Sequence, residues 1–363
     1  MERRDLPYWI AFSRMPGVGP VRFGLLESYF GDLEAAWRAS GAELQRAGLD
    51  SRTVQTILDQ RSAVTPEAEL ARLEQHRTQA LTWHDPGYPS RLKEVHDRPP
   101  VLYVRGSLTT QDELAVAVVG TRRATAYGRE AASRLSADLA RNGVTVVSGL
   151  ARGIDTEAHR AALEAGGRTL AVFGCGLDVV YPPENLRLAQ AILERGALLS
   201  EHPLGTRPEA GHFPRRNRIM SGISLGVLVV EGDMKSGARN TAQHALEQDR
   251  EIFAVPGSVF ASSSELSHWL IQQGAKLVTR VEHLLEELNL KAVAQQLEMK
   301  ELLPPLGAEE ELLLAQLSAE PVHIDAVRRS VGLPTATVSS TLALLELKGL
   351  VRHIGGMNYV LAR

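Results

Sequence analysis

Between residues 107 and 290 the chain alternates short, continuous apolar runs with longer stretches in which apolar residues recur every three or four positions. Short apolar runs bounded by glycine predict parallel strands buried on both faces. The longer stretches predict amphipathic helices. The expected strands are 115–119, 144–148, 169–173, 197–200, 225–231, 251–255 and 276–279. The expected helices lie near 128–142, 155–165, 184–195, 214–222, 239–249 and 265–273. Regular alternation of this kind predicts an α/β core, a Rossmann-like doubly wound sheet. Such sheets bind ligands beyond the carboxyl ends of their strands, near a topological switch point.

The flanks read differently. Residues 1–84 form short helical patterns, a small helical domain of the SAM or helix-hairpin-helix type. Pro16-Gly17-Val18-Gly19-Pro20 breaks the first pattern, which resumes at Val21 to Phe30. A Gly-X-Gly hairpin between helices offers backbone N–H groups to a phosphate. Short glycine motifs are weak alone, and a plain turn is the simpler reading. Residues 85–106 form a connector rich in proline and glycine, ending in a short strand at Val101 to Arg105. Residues 291–306 read as a linker. Residues 307–363 show helical patterns at 308–318, 322–331 and 335–348, then a hairpin turning at Gly355-Gly356. Three helices and a hairpin predict a winged helix-turn-helix. Its third helix starts Pro334-Thr335-Ala336-Thr337-Val338 without Arg or Lys. A protein contact or a weak auxiliary duplex-DNA contact therefore fits it better than strong duplex binding.

Composition narrows the function classes. The 363 residues imply two or three domains. A formal net charge of −3 means that any nucleic-acid contact must be a local basic patch. The single cysteine, Cys175, excludes an internal disulfide framework and suits a reducing cytoplasm. No apolar run is long enough to cross a membrane, and the N-terminus has no sustained apolar segment of a signal peptide. The 11 histidines show no paired metal spacing, so no metal is expected.

The chemistry collects at the strand exits. After the first strand, Gly120 allows a close turn, Thr121 offers a hydroxyl, and Arg122 and Arg123 offer forked donors to phosphate. The second exit, Ser148-Gly149-Leu150-Ala151-Arg152-Gly153, places backbone N–H groups and Arg152 where an anion can meet them. Asp155 reads as the cap of the next helix. Phe213-Pro214-Arg215-Arg216-Asn217-Arg218 is the densest positive cluster. Three arginines in a first helical turn oppose the helix dipole, at about 0.3–1 kcal/mol each, unless anions face them. Phe213 can stack on a base. Salt bridges to Glu201 or Glu231 and core packing of Phe213 remain alternatives. Ser236 and Gly237 form a further strand-end anion contact. The first loop is not G-x-G-x-x-G, no acid is placed for a ribose hydroxyl, and no P-loop lysine is present. No dinucleotide, ATP or other cofactor is therefore expected.

Taken in order, these motifs resemble the DNA-processing protein A (DprA/Smf) family. The pieces are VAVVGTR (116–122), YG (127–128), VVSGLARGID (146–155), AH (158–159), YPPEN (181–185), LLSEHP (198–203), FPRRNRIMSG (213–222), SG…TA (236–242), REIFAVPG (250–257) and LIQQGA (270–275). The resemblance implies a non-enzymatic, cytoplasmic protein of natural transformation. It would bind and protect incoming single-stranded DNA and load the RecA recombinase. It carries the family's basic pocket onto Gly120, Thr121, Arg122, Ser148, Gly149, Phe213, Arg215 and Arg216. It also implies a homodimer, whose surface is expected around 251–275 with Leu270 and Ile271 as candidates; core packing is the alternative for both. Two departures stand near these surfaces. Ser-Gly-Ala-Arg-Asn-Thr-Ala (236–242) replaces Ser-Gly-(Ser/Thr)-Leu-Ile-Thr-Ala, and Leu266-Ser267-His268 stands where Gly-x-Asn is common. A nucleotide phosphoribohydrolase on the same core is the enzymatic alternative. Its Pro-Gly-Gly-x-Gly-Thr-x-x-Glu motif is absent from residues 232–238.

Overall fold

Local capping explains how the chain opens. The structure, a computed structural model, describes residues 5–290, 307–318, 321–348 and 350–361. The linker expected at 291–306 lies outside the described residues. Short helices come first: α1 (Leu6–Ser13), α2 (Pro20–Phe30), α3 (Leu33–Arg38), α4 (Gly41–Arg46), α5 (Ser51–Arg61) and α6 (Pro66–Gln75). Asp32, Ser40 and Asp50 accept first-turn N–H groups and so start α3, α4 and α5. Their shared core is aromatic: Trp9 lies 5.3 Å from Phe23, and Phe12 5.0 Å from Trp37.

Two strands then join the sheet: the strand expected at Val101 to Arg105, and one more where the sequence pattern gave only a helical end. β1 (Thr78–Thr82) and β2 (Val101–Gly106), separated by α7 (Ser90–Lys93), pair antiparallel. β1 lacks strict alternation, which hid it. The remaining elements are β3 (Ala115–Val119), α8 (Ala126–Arg141), β4 (Thr145–Ser148), α9 (Ile154–Glu164), β5 (Thr169–Phe173), α10 (Leu186–Arg195), β6 (Ala197–Ser200), α11 (His212–Gly222), β7 (Gly226–Val229), α12 (Ala238–Glu247), β8 (Glu251–Ala254), α13 (Glu265–Gln272), β9 (Lys276–Leu277) and α14 (Glu282–Glu287). The order across the sheet is β1-β2-β6-β5-β4-β3-β7-β8-β9, parallel from β6 to β9. β3 to β7 are buried throughout, as expected of strands covered on both faces.

Alternate residues of each strand serve opposite faces. Val116, Val118 and Val146 pack with α8 and α9. Ala117, Val119 and Val147 pack with α11, α12 and α13. The chain thus runs outward from β3 through β4, β5 and β6 under one helical layer. It returns through α11 to β7 on the other side of β3 and continues under the second layer. The switch point is the crevice between the carboxyl ends of β3 and β7.

α13 corrects the expected dimer candidates. Leu270 is 4% exposed and belongs to the core, and the half-buried Ile271 packs against the same cluster. The apolar stripe of α13 faces the sheet.

The C-terminal unit holds α15 (Ala308–Leu314), β10 (Val322–His323), α16 (Ile324–Val331), α17 (Thr335–Leu347), β11 (Val351–His353) and β12 (Asn358–Leu361). β10 adds a third strand to the expected hairpin, beside β12. Val327, Val338, Leu342 and Leu345 fill its core.

Two buried polar groups give stability predictions. Arg168 pairs with Asp112 at 2.7 Å and donates to the Arg195 carbonyl at 2.9 Å, both side chains being 10% exposed. Arg168→Met leaves that carboxylate uncompensated, so urea unfolding should show a loss of about 3 kcal/mol. His159 is fully buried, with Nδ1 2.7 Å from Thr169 Oγ1, and burial holds its pKa down to about 3. The unfolded chain binds that proton more readily. Stability from neutral His159 is therefore complete above about 6.5. It is lost as pH falls towards 3, and His159→Gln should flatten that part of a stability–pH profile.

Candidate nucleic-acid interface

A cleft of about 670 Å³ opens over the switch point. Gly120, Thr121, Arg122 and Arg123 form one wall; Lys235, Ser236 and Gly237 form another; Phe213, Arg216 and Asn217 come from α11. Gly120 is required by close approach, since a Cβ there would lie 2.5 Å from Ile154 Cγ1 and 2.8 Å from the Glu231 carbonyl oxygen. The Thr121 N–H donates to that carbonyl at 2.7 Å. The Glu231 carboxylate, 3% exposed, accepts the Thr125 N–H at 2.9 Å and the Thr125 hydroxyl at 2.7 Å. The loop bearing Arg122 and Arg123 is therefore held at both ends by one residue just past the neighbouring strand β7.

Above the cleft wall the charges stand free. Arg122 and Arg123 are exposed, and among the described residues neither makes an ion pair. The Arg122 guanidinium carbon lies 5.4 Å from the Phe213 ring centroid. Tyr181 packs on Phe213 with centroids 5.6 Å apart. A cation, a phenyl ring and a phenol thus form one continuous surface, polar at its ends and aromatic in the middle, with the two rings inclined at 40°.

Beneath it the polar groups are spent on one another. Ser148 is buried and its hydroxyl donates to the Val118 carbonyl at 2.6 Å. The Gly149 and Ala151 N–H groups donate to the Asp155 carboxylate at 3.1 and 3.3 Å. This corrects the expected anion contact of that loop: the anion is Asp155. The residue is also not the helix cap. Gly153 holds that position, and Asp155 reaches back from the first turn.

The adjacent arginines diverge. α11 starts at His212, so Arg215, Arg216 and Arg218 fall beyond the first three residues, where the dipole penalty fades. Arg216 is 4% exposed and donates to the Gly149 carbonyl at 2.7 Å and to the Val172 carbonyl. Burial pushes its pKa down to about 10, against the pull of Asp155. Asp155 is itself pushed up by burial, against Arg216 and the two N–H groups. Any Cβ at Gly149 would overlap the Arg216 guanidinium. Arg218 is buried between Glu201 at 2.8 Å and Asp97 at 3.0 Å, away from the cleft. Arg215 is exposed and lines a neighbouring groove instead. Arg152 pairs with Glu184 outside the cleft. Asn217 donates to the Gly237 carbonyl at 3.2 Å, joining α11 to the loop after β7.

Lys235, Tyr181 and Asn240 line the cleft and were not among the expected residues. Lys235 was legible as the cation adjoining Ser236-Gly237; Tyr181 opens the YPPEN motif, but its distance in sequence from Phe213 hid their contact. Burial pushes the Cys175 thiol up to about 11, so it is not an activated nucleophile. Among the described residues no cluster of His, Cys, Asp or Glu is arranged to hold a metal, and no helix is long and apolar enough to cross a membrane.

Comparison with known proteins matches this geometry to one family. The model of "DNA recombination-mediator protein A" matches residues 79–289, and that of the "DprA winged helix domain" matches 298–357. Protein Smf of Synechocystis sp. is 36% identical, over 99% of this chain and 99% of its own. The X-ray structure of DNA processing protein A from Streptococcus pneumoniae superposes with a TM-score of 0.69 at 35% identity, covering 77% of this chain and 97% of that one. A structure of DNA processing protein A from Helicobacter pylori, reported for its single-stranded DNA binding mode, gives a TM-score of 0.54 at 30% identity, covering 59% and 97%. With the expected motifs assembled on one α/β sheet and a winged helix following it, the chain belongs to the DNA recombination-mediator protein A (DprA/Smf) family.

Proposed function

We propose that this protein holds single-stranded DNA by its phosphates in the switch-point cleft and delivers it to a RecA-type recombinase during natural transformation. The observation that carries the reading is the charge pattern of the cleft. Exposed Arg122, Arg123 and Lys235 make no ion pair among the described residues, while Ser148, Gly149, Asp155 and Arg216 below bond to protein groups. Free cations on such a floor suit a polyanion. The tilted Phe213–Tyr181 pair offers a ring face on which a base can stack. The single-stranded DNA binding reported for the Helicobacter pylori relative supports the ligand, and the family's description as a recombination mediator supports the recombinase.

No step of bond breaking is part of this reading. The strand-end carboxylates are engaged: Glu231 with Thr125, Glu201 with Arg218, and Asp178 with the Gly205 N–H at 2.8 Å. The winged helix is read as a protein contact or weak duplex contact, since exposed Thr335, Ala336, Ser339 and Ser340 put no cation on α17. We place a homodimer surface on the β8–β9 edge. There Phe260 is 97% exposed and Val259 78%, beside β9, the edge strand of the sheet among the described residues, with Leu277 exposed. Such an edge invites pairing.

Arg122→Ala and Lys235→Ala should each weaken binding of an oligothymidylate about tenfold. Each should also flatten the plot of log affinity against log salt by about 0.7. Anisotropy across a salt titration measures both, and unchanged slopes in both variants would sink the cleft assignment. Phe260→Asp should shift sedimentation toward the monomer at micromolar protein without altering the cleft; an unaltered dimer would place the interface elsewhere.

A further inference from the structure

A second cavity, of about 1010 Å³, borders the first across a single turn of α11. Residues of that turn alternate between the two. Phe213 and Pro214 line the cleft, whereas His212 and Arg215 line the second groove. The far wall of the groove is the α1–α2 hairpin, the Pro-Gly-Val-Gly-Pro stretch that the cleft leaves unused. Its near wall is the loop after β6, from Glu201 to Pro203.

Most fixed charges along the groove are neutralised in place. Arg14 pairs with Glu69 at 3.0 Å, Arg22 with Asp50 at 2.7 Å, and Glu201 with Arg218 at 2.8 Å. Glu209 is largely exposed, 3.8 Å from His212. Arg215 remains as an exposed cation without an ion pair among the described residues, and it stands where the groove meets the ridge to the cleft. His202 stacks on His212 with centroids 4.2 Å apart, and its Nε2 is buried with no partner among the described residues. The hairpin wall is low, since a Cβ on Gly19 would meet nothing within 4 Å.

We propose that this groove carries a second segment of the same single DNA strand. The strand leaves the Gly-Thr-Arg cleft, crosses the Phe213–Pro214 ridge, presents a phosphate to Arg215, and runs between the glycine hairpin and the β6 loop. The inference rests on the proposed function of the cleft. A discrete anion needs several donors converging on one point. One free cation on the border between two open cavities instead matches a polymer whose charges are spaced along its length.

The test uses the full chain and labelled oligothymidylates of about four and about sixteen nucleotides. Gly19→Glu adds a carboxylate to the groove wall at a position where a Cβ meets nothing within 4 Å. Gly24→Glu is its control: that position is equally open and lies outside the groove lining. Gly19→Glu and Arg215→Ala should each weaken the long strand about tenfold and leave the short one within about twofold. Arg122→Ala should weaken both lengths, and Gly24→Glu neither. If Gly19→Glu and Arg215→Ala bind both lengths normally while Arg122→Ala loses them, the groove is refuted and the cleft stands. Equal losses at both lengths for Gly19→Glu also refute the groove. Normal binding of the short strand by Arg122→Ala refutes the cleft itself. Thermal melting of each variant confirms that a loss is not unfolding.

Discussion

Glu231 is the residue on which the site depends. It stands just past β7, beside β3, where the sheet's order reverses. Its carbonyl takes the Thr121 N–H and its carboxylate takes both Thr125 donors. Two strand exits that are over a hundred residues apart in the chain are thereby locked into one wall. A buried carboxylate is costly unless its lone pairs are met. Here it is met by the loop that must be held still, so the cost of burial and the rigidity of the Arg122 loop have the same origin.

The arginines of α11 show how a helix divides a charged run. Successive residues are rotated by about 100°. Arg215 therefore faces solvent, Arg216 goes under the second loop, and Arg218 reaches the Glu201–Asp97 pair. Arg216 does for Gly149 and Val172 what a ligand-free anion site could not: it gives buried carbonyls a donor. The positive surface of the cleft then falls to Arg122, Arg123 and Lys235, with Arg216 as charge below rather than contact. The aromatic residues divide similarly. Three of the four tryptophans (Trp9, Trp37 and Trp83) pack around the N-terminal helices, leaving Phe213 and Tyr181 for the site.

Much of this was legible from pattern. The strands from β3 to β8 and the helices between them follow from apolar runs and helical periodicity, within a few residues at their ends. The Gly-Thr-Arg and Ser-Gly exits stand at the tips of β3 and β4, where the apolar runs end. What was not legible depended on partners. β1 joins the sheet through pairing with β2, whose own partner β6 lies almost a hundred residues on. Leu270 and Ile271 read as apolar, which says only that something covers them; the covering surface is the sheet.

Residue order alone determined the alternation of strand and helix, the glycines at strand exits and the family, because these rest on spacing along the chain. Tertiary structure decided which polar groups face solvent and which face each other. Gly149 N–H, Arg216 and Ser148 looked like ligand contacts in the sequence and are internal bonds in the fold. Donors and acceptors carry no mark in sequence of what satisfies them. Only the packed chain, in which a buried polar group must find a partner, makes that choice.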